Sequence, residues 1–231
     1  MRLRIRFGKI GRVRWTSHRD VARMWERALR KARLPVAYTE GFSPRPKLSF
    51  GLALPTGCES NAEYLDIALR EPVAPSEVTS TFSSLLPVGV DVVAAQVLPE
   101  GAGSLQEEVT SCRWEIDVPK MDPDDLSEVI ARVLGAEVLS VTRERKGRPV
   151  TDDLRPSVLG LFSAGPCGTG TLLVAELGTR PRGVRPAELA QVMGVELGLA
   201  RRTNQWIERD GSRSEPLVTP AADAAVLERA S

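Results

Sequence analysis

The chain has 231 residues, 42% of them hydrophobic and 26% charged, enough apolar material for one large domain or two small ones. No run of about 18 apolar residues occurs, which excludes a membrane-spanning helix, and the opening MRLRIRFGKIG lacks the apolar stretch of a secretory signal, so a cytoplasmic location is expected. The net charge of +1 hides a division: residues 1–50 carry 14 Lys and Arg against three acids (Asp20, Glu26 and Glu40), while residues 51–231 carry 17 against 27, which predicts one face suited to an anionic partner.

Taken in order, Arg2 to Phe7 alternate arginine with Leu3, Ile5 and Phe7, the pattern of a strand with one apolar and one basic face. Ser17 precedes a helix running to about Lys31. Its apolar positions Val21, Met24, Trp25, Ala28, Leu29 and Ala32 share one side, and Arg19, Arg23, Arg27 and Lys31 follow one another every four residues on another. Like charges at that spacing destabilise a helix by a few tenths of a kcal/mol per pair, so a sequence that keeps them is expected to use them. Pro35 stops the helix. The segment Tyr38–Gly57 is dense in Gly and Pro and reads as a structured loop leading into a strand around 47–54. A strand over 63–69, a helix over 75–85 and a strand over 91–97 complete the order βαββαβ, the ferredoxin-like pattern.

Residues 99–110 are polar and glycine-bearing, which predicts a linker. The same order of elements then recurs: strand 114–118, helix 123–134 entered from Asp122, strand material over 138–143 and 154–162 around a charged loop, strand 171–177, helix 186–193 and strand 200–208. The expected fold is therefore α+β with two tandem ferredoxin-like (βαββαβ) modules, residues 1–99 and 111–209, followed by a disordered tail over 210–231.

The first half carries a long ordered set of motifs: Phe7-x-Lys9, Ser17-His18-x-Asp20, Arg27-Ala28-Leu29-Arg30-Lys31-Ala32, Leu34-Pro35, Tyr38, Glu40-Gly41-Phe42-Ser43-Pro44-Arg45-Pro46-Lys47-Leu48-Ser49-Phe50, Leu54-Pro55-x-Gly57, Ser60 and Glu63-Tyr64-Leu65-Asp66. On these residues the chain resembles the radical SAM-linked family, a domain of unknown function found fused to a radical SAM protein or encoded beside one. Arg19 departs from that pattern, which usually has an apolar residue there. The resemblance implies partnership with a radical SAM protein. This chain has no CxxxCxxC, so the iron-sulfur cluster and S-adenosylmethionine would sit on that partner, and no cofactor is expected here.

Cys58, Cys112 and Cys167 are too scattered for a disulfide framework or CxxC site, and a single histidine argues against zinc. Ser17 and Asp20 have the spacing of a capping box, which accounts for both but not for His18. At the first position of a helix His18 is a ligand contact, a proton-transfer group or a structural residue, and it is the only catalytic candidate. In the turn Gly41–Lys47 two prolines fix the backbone, which makes a rigid turn and also presents Arg45 and Lys47 beside Phe42 at small entropy loss. Glu63 and Asp66 face opposite sides of their strand and make a poor carboxylate pair. The residues expected to meet an anionic ligand are Arg4, Arg6, Lys9, Ser17, His18, Arg19, Arg23, Arg27, Phe42, Arg45 and Lys47, with no metal. These expectations describe an RNA-binding accessory protein of a separate radical SAM enzyme acting on tRNA or rRNA. A metal-independent ribonuclease using His18, and a subunit that docks the partner protein or a small anion, are the alternatives.

Overall fold

The computed structural model describes residues 1–82, 84–145 and 147–217. The described residues divide into two compact units, Met1–Val109 together with Ile207–Leu217, and Thr110–Trp206. Both are α+β with antiparallel sheets.

The first unit contains strand β1 (Arg2–Lys9), a 3-10 turn over Gly11–Trp15, helix α1 (His18–Ala32), β2 (Leu48–Phe50), β3 (Glu59–Ala68), α2 (Pro75–Phe82), β4 (Val92–Val97) and the short helix α3 (Leu105–Glu108). The sheet runs β4-β1-β3-β2, every neighbour antiparallel. Alternation in β1 and β3 sends Leu3, Ile5, Phe7, Leu65 and Ile67 to one side, where α1 and α2 cover them. Trp25 of α1 is fully buried at the centre of that layer, its ring 5.1 Å from Phe7 and 5.4 Å from Phe82. Each such side chain contributes roughly 1.5–3 kcal/mol by leaving water. Helix α1 ends at Arg33, which adopts the left-handed conformation (φ 54°) two residues ahead of Pro35.

The second unit contains β5 (Ser111–Pro119), α4 (Pro123–Gly135), β6 (Ser140–Arg145), β7 (Arg148–Asp153), β8 (Val158–Cys167), β9 (Gly170–Gly178), α5 (Pro186–Met193) and β10 (Ala200–Arg209). Its sheet runs β10-β5-β9-β8, and β6 and β7 form a separate hairpin inserted after α4. Asp122 caps α4 by accepting from the backbone amides of Asp124 (3.0 Å) and Asp125 (2.9 Å). Along β5, Cys112, Trp114, Ile116 and Val118 are buried and Arg113, Glu115 and Asp117 half-buried, the alternation of a strand with one covered face.

Three expectations need correction. The predicted linker at 99–110 contains α3, whose Leu105 is buried together with Val109. The boundary of the last module falls at Trp206, because the described residues from Ile207 to Leu217 group with the first unit. The predicted disordered tail starts too early: Ser212–Ser214 form strand β11, paired with the end of β10, and Leu217 is buried beside Ala62, Tyr64, Ala94 and Leu105. The remainder of that tail, 218–231, lies outside the described residues.

Candidate nucleic-acid interface

Arg4, Arg6 and Lys9 were expected on the anion-binding surface, and all three are interior, with 3%, 5% and 2% of their surfaces exposed. The alternation of β1 points Arg4 and Arg6 away from the helix layer, as its sequence predicts, but that face is covered. Arg4 donates from Nε and Nη2 to the two carboxylate oxygens of Asp66 (2.7 and 3.0 Å), a forked pairing, and lies 3.8 Å from Glu108. It also donates to the carbonyl of Pro216 (3.2 Å). Arg6 donates to Glu215 (2.7 Å) and to the carbonyl of Asn61 (3.2 Å). Lys9 donates to the carbonyls of Thr16 (2.9 Å) and Arg14 (3.4 Å), which ties β1 to the turn before α1. Burying a guanidinium without such partners is prohibitive, so these cations hold the fold together and take no part in a surface.

The cations of α1 have the opposite setting. Arg19, Arg23, Arg27, Arg30 and Lys31 are exposed, as are Arg45 and Lys47 in the loop that follows. The segment 38–47 folds back on itself: Tyr38 bridges to Pro46, and Thr39 accepts the Arg45 amide on its hydroxyl (3.0 Å) while donating its own amide to the Arg45 carbonyl (2.8 Å). Between this loop and α1 lies an open groove of about 510 Å³. Its helix wall presents Arg19, Arg23, Glu26 and Arg30, and its loop wall Tyr38, Arg45 and the flanking prolines. Arg70 stacks on the Tyr38 ring at 5.7 Å. Among the described residues the side chains of Arg30, Arg45 and Glu26 make no hydrogen bond or ion pair, so these charges are open to a ligand.

The helix wall is not the row read from four-residue spacing. At about 100° per residue, each step of four advances the row by about 40°, so Arg27 has turned about 80° from Arg19 and Lys31 about 120°. Steps of seven and eleven return within about 20°, which brings Glu26 and Arg30 into line with Arg19 and Arg23. Arg30 and Glu26 escape the four-residue reading for that reason, and the helical angle is the signal that finds them; Tyr38 joins the groove through the fold-back of its loop onto Pro46. Phe42, at the tip of the loop, is fully exposed but does not line the groove, nor do Arg27 and Lys47.

Ser17 and Asp20 form the expected reciprocal cap: the Ser17 hydroxyl accepts the Asp20 amide (3.2 Å) and the Asp20 carboxylate accepts the Ser17 amide (3.3 Å). The hydroxyl also donates to that carboxylate (2.6 Å), and this bond holds the Asp20 carboxyl below its ordinary range despite the opposing effect of partial burial. His18 is exposed and sits edge-on to Phe50, ring centres 5.2 Å apart. It borders a second, water-sized cavity of about 20 Å³ whose polar walls include Lys9 and Glu63. His18 and the groove cations therefore line different cavities. Glu63 and Asp66 do face opposite sides of β3, Glu63 to this cavity and Asp66 to Arg4.

Among the described residues no cluster of three or more His, Cys, Asp or Glu stands where it could hold a metal ion, and no helix is long and apolar enough to cross a membrane. In the second unit, Arg143 and Arg182 both donate to Asp152 (2.7 and 2.9 Å), with the Arg143 bond the main reason its carboxyl lies low. The charge at the base of the β6–β7 hairpin is thus partly neutralised.

A search of curated proteins finds no match. Among solved structures, a chain from the crystal structure of a Cbf5-Nop10-Gar1 complex is similar at 12% identity with a TM-score of 0.44, over 88% of this chain and 48% of that one, so this chain spans about half its length. A family model described as "Uncharacterized protein conserved in bacteria (DUF2344)" matches residues 2–186. With so much of its length matched, from β1 into the start of α5, the chain belongs to the DUF2344 family.

Proposed function

We propose that the protein is an RNA-binding accessory module that presents substrate to a separate radical SAM enzyme of RNA modification. The observation that carries the reading is the groove between α1 and the 38–47 loop. Arg19, Arg23, Arg30 and Arg45 converge on it from two elements, with an aromatic wall at Tyr38 and a single acid. Exposed guanidinium groups facing one channel suit a phosphate backbone, and a ring beside them suits a base. Arg19 to Arg30 spans about 16 Å along the helix axis, the length of about five stacked nucleotides at roughly 3.4 Å each. The radical SAM association rests on the resemblance of the motifs from Phe7 to Asp66 and on the missing CxxxCxxC. The two strand orders, β4-β1-β3-β2 and β10-β5-β9-β8, support reading the units as tandem ferredoxin-like modules, the second with a hairpin inserted.

The ribonuclease reading is weaker, because His18 borders a separate cavity of about 20 Å³, too small to admit a nucleotide, and does not line the groove that gathers the arginines. The reading is tested by native purification from cells. Co-purified RNA that is released by salt, together with a radical SAM protein, is the expected result. A preparation free of nucleic acid that also fails to bind added tRNA or rRNA at low salt sinks it.

A further inference from the structure

Glu26 is the anomaly of the groove. It is half-buried and stands in line between Arg23 and Arg30, and its carboxylate makes no ion pair or hydrogen bond with either, nor with any other described residue. A carboxylate in a channel built only for phosphates would weaken it, since it repels the ligand the arginines attract. It is useful where the ligand brings a hydrogen-bond donor to that point. The parts of a nucleic acid strand that lie between phosphates are its bases, and an ionised carboxylate accepts but cannot donate. Cytosine, adenine and guanine each carry an exocyclic amino group, whereas uracil offers oxygen acceptors and one ring N–H.

We infer that Glu26 is a specificity-determining residue: it accepts from the exocyclic amino group of a base held in the groove, so that the site takes a single-stranded segment with an amino-bearing base there and disfavours uracil. The proposal rests on the groove being an RNA site. Paired bases have their amino groups engaged, so the segment is unpaired, a loop or an end. Tyr38, across the groove from the helix wall, is placed to hold the base against the carboxylate by stacking. The guanidinium groups of Arg23 and Arg30, on either side of Glu26 along the helix wall, carry the flanking phosphates.

The test uses the full chain and fluorescently labelled oligocytidylate and oligouridylate of equal length, with affinity read by anisotropy at one fixed salt concentration. The natural protein should prefer oligocytidylate by about tenfold. Glu26→Gln, whose amide both donates and accepts, should remove that preference, and Arg23→Ala should weaken both oligomers while keeping it. Equal affinity of the natural protein for the two overturns the role of Glu26 and leaves the RNA reading standing. A preference that survives Glu26→Gln, or an equal gain of affinity for both oligomers in that variant, also overturns it, because the carboxylate would then be only a repulsive charge. Binding of neither oligomer overturns this inference and the proposed function together.

Discussion

Arg4 and Arg6 of strand β1 and Arg23 and Arg30 of helix α1 are separated by a short stretch of chain, yet the first pair is all but sealed from solvent and the second is open to it. The difference lies in their partners. Arg4 and Arg6 meet Asp66, Glu108 and Glu215, which arrive from β3, from the end of α3 and from the returning C-terminal segment. Around α1, among the described residues, the only ion pair of the exposed arginines is the short-range one between Arg23 and Asp20 (3.5 Å). A run of cations therefore has two physical fates. Where carboxylates from distant segments close over it, it is a structural cross-link; where none does, it remains a surface with charge to offer.

The comparison is most easily broken at Arg4. Arg4→Ala leaves Asp66 buried without its forked partner and should cost about 3–5 kcal/mol in urea or thermal unfolding of the full chain. The pair Arg4→Met with Asp66→Leu should recover most of that loss, because it removes both charges together. A small effect for Arg4→Ala alone would place that arginine at a solvated site, contrary to its burial.

A smaller but sharper effect concerns the groove wall. Arg30→Ala should weaken RNA binding several-fold and Arg27→Ala should leave it nearly unchanged, both with stability altered by less than about 0.5 kcal/mol. Reversal of that order would mean that the row every four residues is the working surface. The smallest effect lies at the start of α1, where Ser17→Ala removes a cap bond and should cost about 1 kcal/mol. Because the Asp20 carboxyl is held low in the folded chain, its contribution is complete above the ordinary carboxylate range and is lost as pH falls through the depressed value. An NMR titration of Asp20 should show that depression in the natural protein and its partial return toward the ordinary value in Ser17→Ala.

Much of this architecture was legible from local pattern. The alternation of β1 and β3 gave their faces correctly, the apolar spacing of α1 gave its buried side, and Ser17, Asp20, Pro35 and Asp122 marked helix ends where they stand. What escaped depends on distant residues. Nothing in RLRIRF says that Glu215, more than two hundred residues later, will sit on Arg6, so the strand read as a basic surface. The polar run 99–110 hid two buried side chains, Leu105 and Val109, among residues that otherwise resemble a linker. The candidate site was half visible: Arg19, Arg23 and Arg45 were found from charge, while Arg30 and Glu26 needed the true helical angle and Tyr38 needed the fold-back of its loop.

The central claim, that the α1 and loop arginines rather than those of β1 meet an RNA backbone, is tested most directly by the salt dependence of binding to a single-stranded RNA. Log affinity should fall linearly with log salt, and Arg23→Ala with Arg45→Ala together should flatten that slope by about 1.4, or about 0.7 for each phosphate no longer neutralised. Binding that ignores salt, or a slope unchanged in the double variant, would contradict the account.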